Sequence, residues 1–440
     1  MSLLDRFLSR LIRQGELVVI DHEGKRHSAG TRDPRRKPVV VRFTDRKVLF
    51  DLILNPRLGA GEAYMDGRLV VEEGDILALL DLVRFNSRWE QRGNKTPIAV
   101  RGGAVKRAIN HLNWERRAKR NVAHHYDLSD RLYDLFLDAD RQYSCAYYTD
   151  RSNSLEQAQL DKKAHIAAKL HLKPKQKVLD IGCGWGGMAL YLNRVADVDV
   201  LGVTLSEEQL RVARRRAEEA GVSDRVKFEL IDYRKLQGRF DRIVSVGMFE
   251  HVGPPHFVTF FRKCRSLLTA DGVMLLHTIG RYGGPGATDA FTDKYIFPGG
   301  YIPALSEVIA ASEKARLMTA DVETLRLHYG FTTEEWYRRV NAHRDEIIAL
   351  YDERFFRMWQ FYLAGATTTF RNGGMGNYQI QYVRDRNALP ITRDYMSEAE
   401  QAFRAADRPV VQQEDEAPLA DPVEAKPAAK KRAPRTKKKA

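Results

Sequence analysis

The sequence predicts an α/β protein, with a parallel, doubly wound sheet, a smaller N-terminal α+β domain before it and a disordered C-terminal tail behind it. Three observations predict this. From residue 174 onward, apolar strand-like runs alternate with helical runs across short turns, the rhythm of successive βαβ units. Ahead of that point, short alternating and amphipathic stretches follow one another without such a rhythm. From 407 the chain is rich in Pro, Ala and charge and has no hydrophobic period, so it has little to bury. At 440 residues the chain also exceeds what one compact core holds.

Residues 2–13 set Leu3, Leu4, Phe7, Leu8, Leu11 and Ile12 on one stripe. That predicts a helix docked on its own domain in preference to one lying on a membrane. "ELVVIDHEG" and "VVVRFTDRKVLFDLIL" read as strands and amphipathic elements, "LGAGEAYMDGRL" (58–69) as a glycine-punctuated turn region, and 86–120 as a polar, basic connector. "QKVLDIG" is then a buried strand, "MALYLNRVA" a helix and "VDVLGVT" a second strand. "SEEQLRVARRRAEEAG" is a helix with Gly221 at its end, and "VKFELID", "DRIVSVG", "FVTFFRKCRSLL" and "GVMLLHTIG" carry the alternation on. A long helical region (332–371) and a final strand, "NYQIQYV", complete the domain.

The net charge is +14, and seven of the cations lie in the last eleven residues, "KKRAPRTKKKA". A second basic cluster, "RAINHLNWERRAKR", spans 107–120. Such surfaces attract nucleic acid or acidic lipid headgroups. No RNA-recognition motif accompanies the tail, so no specific nucleic-acid partner is expected. Cys145, Cys183 and Cys264 are sparse and have no metal-ligand spacing, which fits a reducing cytoplasm. The opening residues lack an apolar signal core, and no stretch approaches the roughly 18 apolar residues of a spanning helix. The expectation is a cytoplasmic protein whose membrane contact is peripheral.

"VLDIGCGWGG" (178–187) ends a strand and opens a helix. Gly182, Gly184 and Gly187 satisfy G-x-G-x-x-G, so a nicotinamide dinucleotide is one reading. The next strand, however, ends "GVTLS", without the acid that would hold a dinucleotide ribose. Asp180 instead sits two residues before Gly182, where it suits a ligand with a cationic amino-acid end. Asp232 and Tyr233 follow the third strand, where a carboxylate and a ring could bracket an adenine. Together these favour S-adenosylmethionine. Ser206 to Gln209 form a capping box, which by itself accounts for both end residues; a ribose contact from Gln209 is the alternative. Cys183 and Trp185 are explained by packing. Cys145, in "QYSCAYYTD", is open to three readings: nucleophile, metal ligand or small core residue. Glu250 follows a strand end, where α/β ligands lie. His277, in "MLLHTI", reads as a satisfied core histidine. Glu250, His251 and His277 fit no common zinc spacing, so no metal site is expected.

"HYDLSDRLYDLFLD", "YSCAYY", "VLDIGCGWGG", "VTLSEEQ", "RIVSVGMFEHVG", "HTIG", "IFPGGYIP" and "YDERFFRMWQFYLAG" occur in this order over residues 121–383. In this the sequence resembles the cyclopropane-fatty-acid synthases and the related mycolic-acid methyltransferases. "LGAGEAYMDGRL" is similar to the extra N-terminal domain of the synthases that act on membrane phospholipid. The resemblance implies a class I methyltransferase (Rossmann-like) sheet in a catalytic domain at 121–406. An N-terminal lipid- and membrane-associating domain with its connector would occupy 1–120, and a basic tail 407–440. It implies that an unsaturated acyl chain of a phospholipid takes the methyl carbon of S-adenosylmethionine and closes a cyclopropane ring. Bicarbonate would be the proton acceptor, held by Cys145, Glu250, His277, the backbone of Ile279, and Tyr329. Cys145 then becomes a weak hydrogen-bond donor to an anion. Tyr143, Ser144, Gly182, Gly184, Thr204, Gln209, Asp232 and Tyr233 would bind the methyl donor, and His125, Tyr126 and Asp127 would belong to a helical cover. The resemblance further suggests a homodimer through the N-terminal domain. A transferase that stops at a methyl- or methylene-branched chain is the alternative.

Overall fold

The computed structural model describes residues 2–91 and 129–407. The basic cluster at 107–120, the cover at 125–127, the predicted boundary at 120/121 and the tail from 408 lie outside the described residues.

Helix Leu3–Leu11 is started by a reciprocal capping box between Ser2 and Asp5, and it buries Leu4 and Leu8 against the first sheet. It is docked, as its stripe predicts. That sheet has the order β2-β1-β3-β4, formed by β1 (Leu17–Ile20), β2 (Arg26–Ala29), β3 (Val39–Phe43) and β4 (Leu69–Glu73). The predicted turn at 58–69 is mostly helix, Pro56–Met65, with Pro56 in its first turn. Its glycines serve close approach. A Cβ on Gly59 would stand 2.4 Å from the Asp51 carbonyl oxygen, and one on Gly61 would stand 2.3 Å from the Phe291 ring. The sequence shows the glycines but not the partners that crowd them. This helix and helix Ile76–Phe85 pack on helix Glu353–Asn372, so the N-terminal and C-terminal segments share one apolar core.

The large sheet has the order β10-β11-β9-β8-β5-β6-β7. It contains β5 (Lys177–Ile181), β6 (Asp199–Thr204), β7 (Val226–Leu230), β8 (Phe240–Val246), β9 (Leu268–Arg281), β10 (Met318–Leu325) and β11 (Met375–Val383). The strands from β7 to β9 are parallel, as predicted. The sheet as a whole is mixed, because β11 runs antiparallel to β9 and to β10. Helix Glu353–Asn372 ends beside the carboxyl end of β9, so the chain enters β11 opposite Arg281 and runs back to Val273. β10 was not anticipated: a polar edge strand whose side chains are mostly exposed or half-buried carries little apolar pattern. The helical region at 332–371 resolves into three helices, His328–Ala342, Arg344–Leu350 and Glu353–Asn372. A further helix, Asp394–Ala406, packs on helix Leu155–Leu170. Strand order reverses at β5, between β6 and β8, and the crevice outside the carboxyl ends of these strands is where such folds take ligands.

Candidate active site

A cleft of about 180 Å³ opens at that crevice. All nine residues expected to bind the methyl donor line it: Tyr143, Ser144, Asp180, Gly182, Gly184, Thr204, Gln209, Asp232 and Tyr233. The glycine turn forms because β5 must reverse into helix Gly187–Ala196 within five residues. Gly182 and Gly184 have φ of 82° and 55°. A Cβ at Gly182 would also stand 2.8 Å from Met248 Cβ, whereas at Gly184 it would meet open space. The first glycine is set by packing and the second leaves the cleft floor bare. Gly187 has ordinary helical backbone; a Cβ there would strike the Asp140 carboxylate at 2.4 Å.

The capping box at 206–209 is half formed. Ser206 accepts from the Gln209 backbone N–H, but the Gln209 side chain turns to Thr204, whose hydroxyl donates to Oε1 at 2.9 Å. That engages the oxygen end of Gln209 and presents its amide nitrogen as the donor for a ligand. Asp232 takes bonds from the backbone and guanidinium of Arg234. Burial pushes its carboxyl up, but these bonds outweigh burial and hold it below the usual range. Asp180 has no such help. It is 2% exposed, its Oδ2 is buried without a hydrogen bond, and burial raises it to about 7 against a weak downward pull from Lys162. His251 also lines the cleft, and burial lowers it to about 4, so it is neutral at pH 7.

The five residues expected to do the chemistry are not in the cleft lining. Two of them adjoin it along the chain: Cys145 follows Ser144, and Glu250 stands between Met248 and His251. Glu250, in the short turn Phe249–His251, accepts the Ile279 N–H at 2.6 Å through Oε1, while its Oε2 is buried and unbonded. Burial raises its carboxyl, against smaller lowering effects from Ile279, its own backbone and the Thr278 hydroxyl, which itself donates to Ile279 O. Ile279 packs against the same core as Cys145 and Tyr329. His277 is two residues before Ile279 on β9, hence on the same face of the sheet. Both its ring nitrogens meet carboxamides of β11: Nε2 is 3.0 Å from Asn377 and Nδ1 is 3.2 Å from Gln379. Tyr329 opens helix His328–Ala342 with its ring against Trp336 and Phe370.

Cys145 is 1% exposed, and burial pushes its thiol far up. Its Sγ donates to the Ala146 carbonyl at 3.4 Å. A neutral, enclosed thiol is a poor nucleophile. Next to it Tyr143 packs 5.2 Å from Trp336, and its hydroxyl is 3.4 Å from that of Tyr362. The aromatic residues of helix Glu353–Asn372 continue this wall.

Residues 113–380 match the family model described as mycolic acid cyclopropane synthetase, which is more than half of the chain. The chain belongs to the cyclopropane synthase family. Within that family it is 40% identical over 357 residues to a cyclopropane-fatty-acyl-phospholipid synthase of Escherichia coli K12, covering 81% of this chain and 91% of the relative. The solved cyclopropane synthase MmaA2 of Mycobacterium tuberculosis is similar with a TM-score of 0.58 and 33% identity, over 62% of this chain and 99% of that one. Mycolic acid cyclopropane synthase CmaA1, solved in complex with SAH and CTAB, has the same TM-score and identity over 60% of this chain and 97% of its own. The cyclopropane synthase family uses S-adenosylmethionine as methyl donor, and the cleft described above is of that class I methyltransferase type.

Sequence reasoning missed three parts of the site. Gln142 and Trp185 line the cleft and carry no motif of their own, although Trp185 lies inside the glycine turn. Lys162 has no exposed surface and donates to Gln142 Oε1 at 2.5 Å and to Ser144 Oγ at 3.0 Å.

Proposed function

We propose that this synthase adds the methyl carbon of S-adenosylmethionine across the cis double bond of phospholipid acyl chains and closes a cyclopropane ring. The observation that carries the reading is adjacency: Cys145 follows the cleft residue Ser144, and Glu250, which accepts the Ile279 N–H, lies between the cleft residues Met248 and His251. An alkene is a weak nucleophile, so donor and acceptor need close placement and little water. The cation left after methyl addition favours aromatic faces, and Tyr143, Trp336 and Tyr329 supply them. Ring closure then needs a base for one proton of the added methyl.

Bicarbonate supplies that basicity in this reading. Glu250, with a buried oxygen unbonded, the Ile279 backbone and the neutral Cys145 thiol are chemically suited to hold a small protonated anion. His277 supports the site through β9 and the carboxamides of Asn377 and Gln379. Cys145→Ser is expected to keep activity within about tenfold of the parent, measured as methyl transfer from labelled donor to unsaturated vesicles. A loss beyond about a thousandfold would restore a covalent role for the thiol. Proton NMR of the acyl product tests ring closure: cyclopropyl methylene signals are expected, and an olefinic methylene or a plain methyl branch would transfer the reading to the branched product.

The phospholipid must be reached at a bilayer. No described helix is long and apolar enough to cross one. Helix Lys47–Leu54 instead exposes Phe50, Ile53 and Leu54, the last at 77%, beside exposed Arg46, Lys47 and Arg57. Apolar tips among cations favour an anionic membrane surface. Leu54→Asp is expected to weaken sedimentation with anionic vesicles by about tenfold and to leave donor binding alone. Unchanged, salt-insensitive sedimentation would remove this helix from the reading.

A further inference from the structure

Two separate segments bound the cleft: Arg141 to Ser144, from the loop ahead of helix Leu155–Leu170, and Gly182 to Trp185, from the glycine turn. The loop is a tight turn shaped from within. Its Arg141 N–H donates to the Asp138 carbonyl at 2.8 Å with Arg141 at φ of 51°, and the Asp138 carboxylate accepts the backbone N–H groups of Asp140 and Gln142 at 3.2 and 2.9 Å. The Asp140 side chain carries the link across to the other segment. Its Oδ2 accepts from Lys163 Nζ at 2.6 Å and from Gln142 Nε2 at 3.0 Å, and its Oδ1 accepts from Arg216 Nη2. Arg216, on helix Glu207–Glu219, also donates to the Trp185 carbonyl at 2.9 Å, so one guanidinium holds both segments. A Cβ on Gly187 would stand 2.4 Å from Asp140 Oδ2 and 2.4 Å from Gln142 Nε2, so both groups lie against the first residue of helix Gly187–Ala196. A helix N-terminus favours an anion. Burial pushes the Asp140 carboxyl up, but Lys163 and Arg216 outweigh it and hold the group well below the usual carboxylate range.

We propose that Asp140 is a positioning residue for the methyl donor: its carboxylate ties the Gln142–Ser144 segment to the glycine turn and so sets the width of the cleft before the donor arrives. The proposal rests on the reading of this cleft as the donor site. Asp140 is not itself among the residues that line it, so it acts through Gln142 and Trp185, which are. A cleft already held at its bound width leaves less ordering to oppose binding.

Calorimetric titration of the full chain with S-adenosylmethionine, steady-state turnover on unsaturated vesicles and melting temperatures test this together. Asp140→Asn keeps the size and removes the charge that Lys163 and Arg216 hold. It should bind the donor about tenfold more weakly and raise the donor KM alike, while kcat at saturating donor and the KM for lipid stay within about twofold. Gly187→Ala keeps the charge but drives a Cβ into the carboxylate, and it should give the same split. Arg216→Gln should also weaken donor binding. The Asp140→Asn/Arg216→Gln double variant should then fall well short of the product of the two single losses, because both remove one contact.

Parent-like donor affinity in Asp140→Asn overturns the proposal. So does a lower melting temperature with kcat and both KM values changed together, or a double variant whose losses multiply; either leaves an ion cluster that only supports the fold. Gln209→Leu separates the two layers, since it removes the amide that the cleft presents to a ligand. If it binds the donor like the parent, the donor reading of the cleft fails; if it binds poorly while Asp140→Asn matches the parent, only the Asp140 assignment fails. Should Asp140→Asn not fold, Arg216→Lys takes its place, because an ammonium lacks the fork with which Arg216 bonds Asp140 and the Trp185 carbonyl at once. Failure of both to fold also counts against a positioning role.

Discussion

Glu250→Gln is expected to lower turnover by about two to three orders of magnitude while S-adenosylmethionine affinity stays within about twofold. The substitution keeps the size and an acceptor for the Ile279 N–H. It removes a carboxylate that can take up a proton at its buried, unbonded oxygen. Glu250 is outside the cleft lining, so donor affinity should not follow turnover. Burial raises the Glu250 carboxyl above its ordinary value, so the parent's rate should fall as pH drops through that raised value, and the variant should lack this limb. Removing dissolved carbon dioxide and bicarbonate from the buffer should slow the parent and have little effect on the variant. Near-parent turnover in Glu250→Gln would dismiss the carboxylate from the proton step.

Asp180→Asn should lose donor affinity by about a hundredfold and yet melt higher than the parent at pH 8. In the folded enzyme the Asp180 pKa is about 7, against 3.8 for an ordinary aspartate. The unfolded chain therefore releases this proton first. The folded state has no penalty below the ordinary aspartate value, an increasing one between the two values, and the whole of it above the folded value. A three-unit difference corresponds to something on the order of 4 kcal/mol at full burial. Asparagine removes that penalty together with the charge that we propose faces the donor. The melting-temperature gap should be widest above pH 7 and shrink toward pH 5, as differential scanning calorimetry would show. A variant that melts lower than the parent across the range would mean Asp180 is satisfied in the apo fold.

Much of the site was legible because its residues lie in short motifs tied to strand ends. Gly182, Gly184, Asp232 and Tyr233 each follow a strand whose apolar run is plain in the sequence, and parallel strands place such ends together; Thr204, which ends β6, was placed by the resemblance. Tyr143 and Ser144 reach the cleft from outside that repeat and were placed by family resemblance alone. The failures have the opposite character. The glycines at 59 and 61 resemble turn residues until Asp51 and Phe291 are seen pressed against them. β10 exists because β11 offers it an edge, not because its own pattern demands a strand. In Leu155–Leu170, Asp161, Lys162, Lys163, His165 and Lys169 are all buried, and no periodicity could say so. Arg404 and Glu400 of helix Asp394–Ala406 cover part of that face by bonding to Asp161 and His165.

The sequence by itself determined the βαβ rhythm, the glycine turn and the family, since these depend on local backbone preference and on residue types a few positions apart. Tertiary structure alone decided which polar groups lose their water: that Cys145 is an enclosed thiol, that Glu250 keeps a bare oxygen, and that Lys162 stands enclosed behind Ser144. The reason is physical. Desolvation depends on everything that packs around a group, and here those neighbours come from segments as far apart as residues 142, 162, 279 and 329.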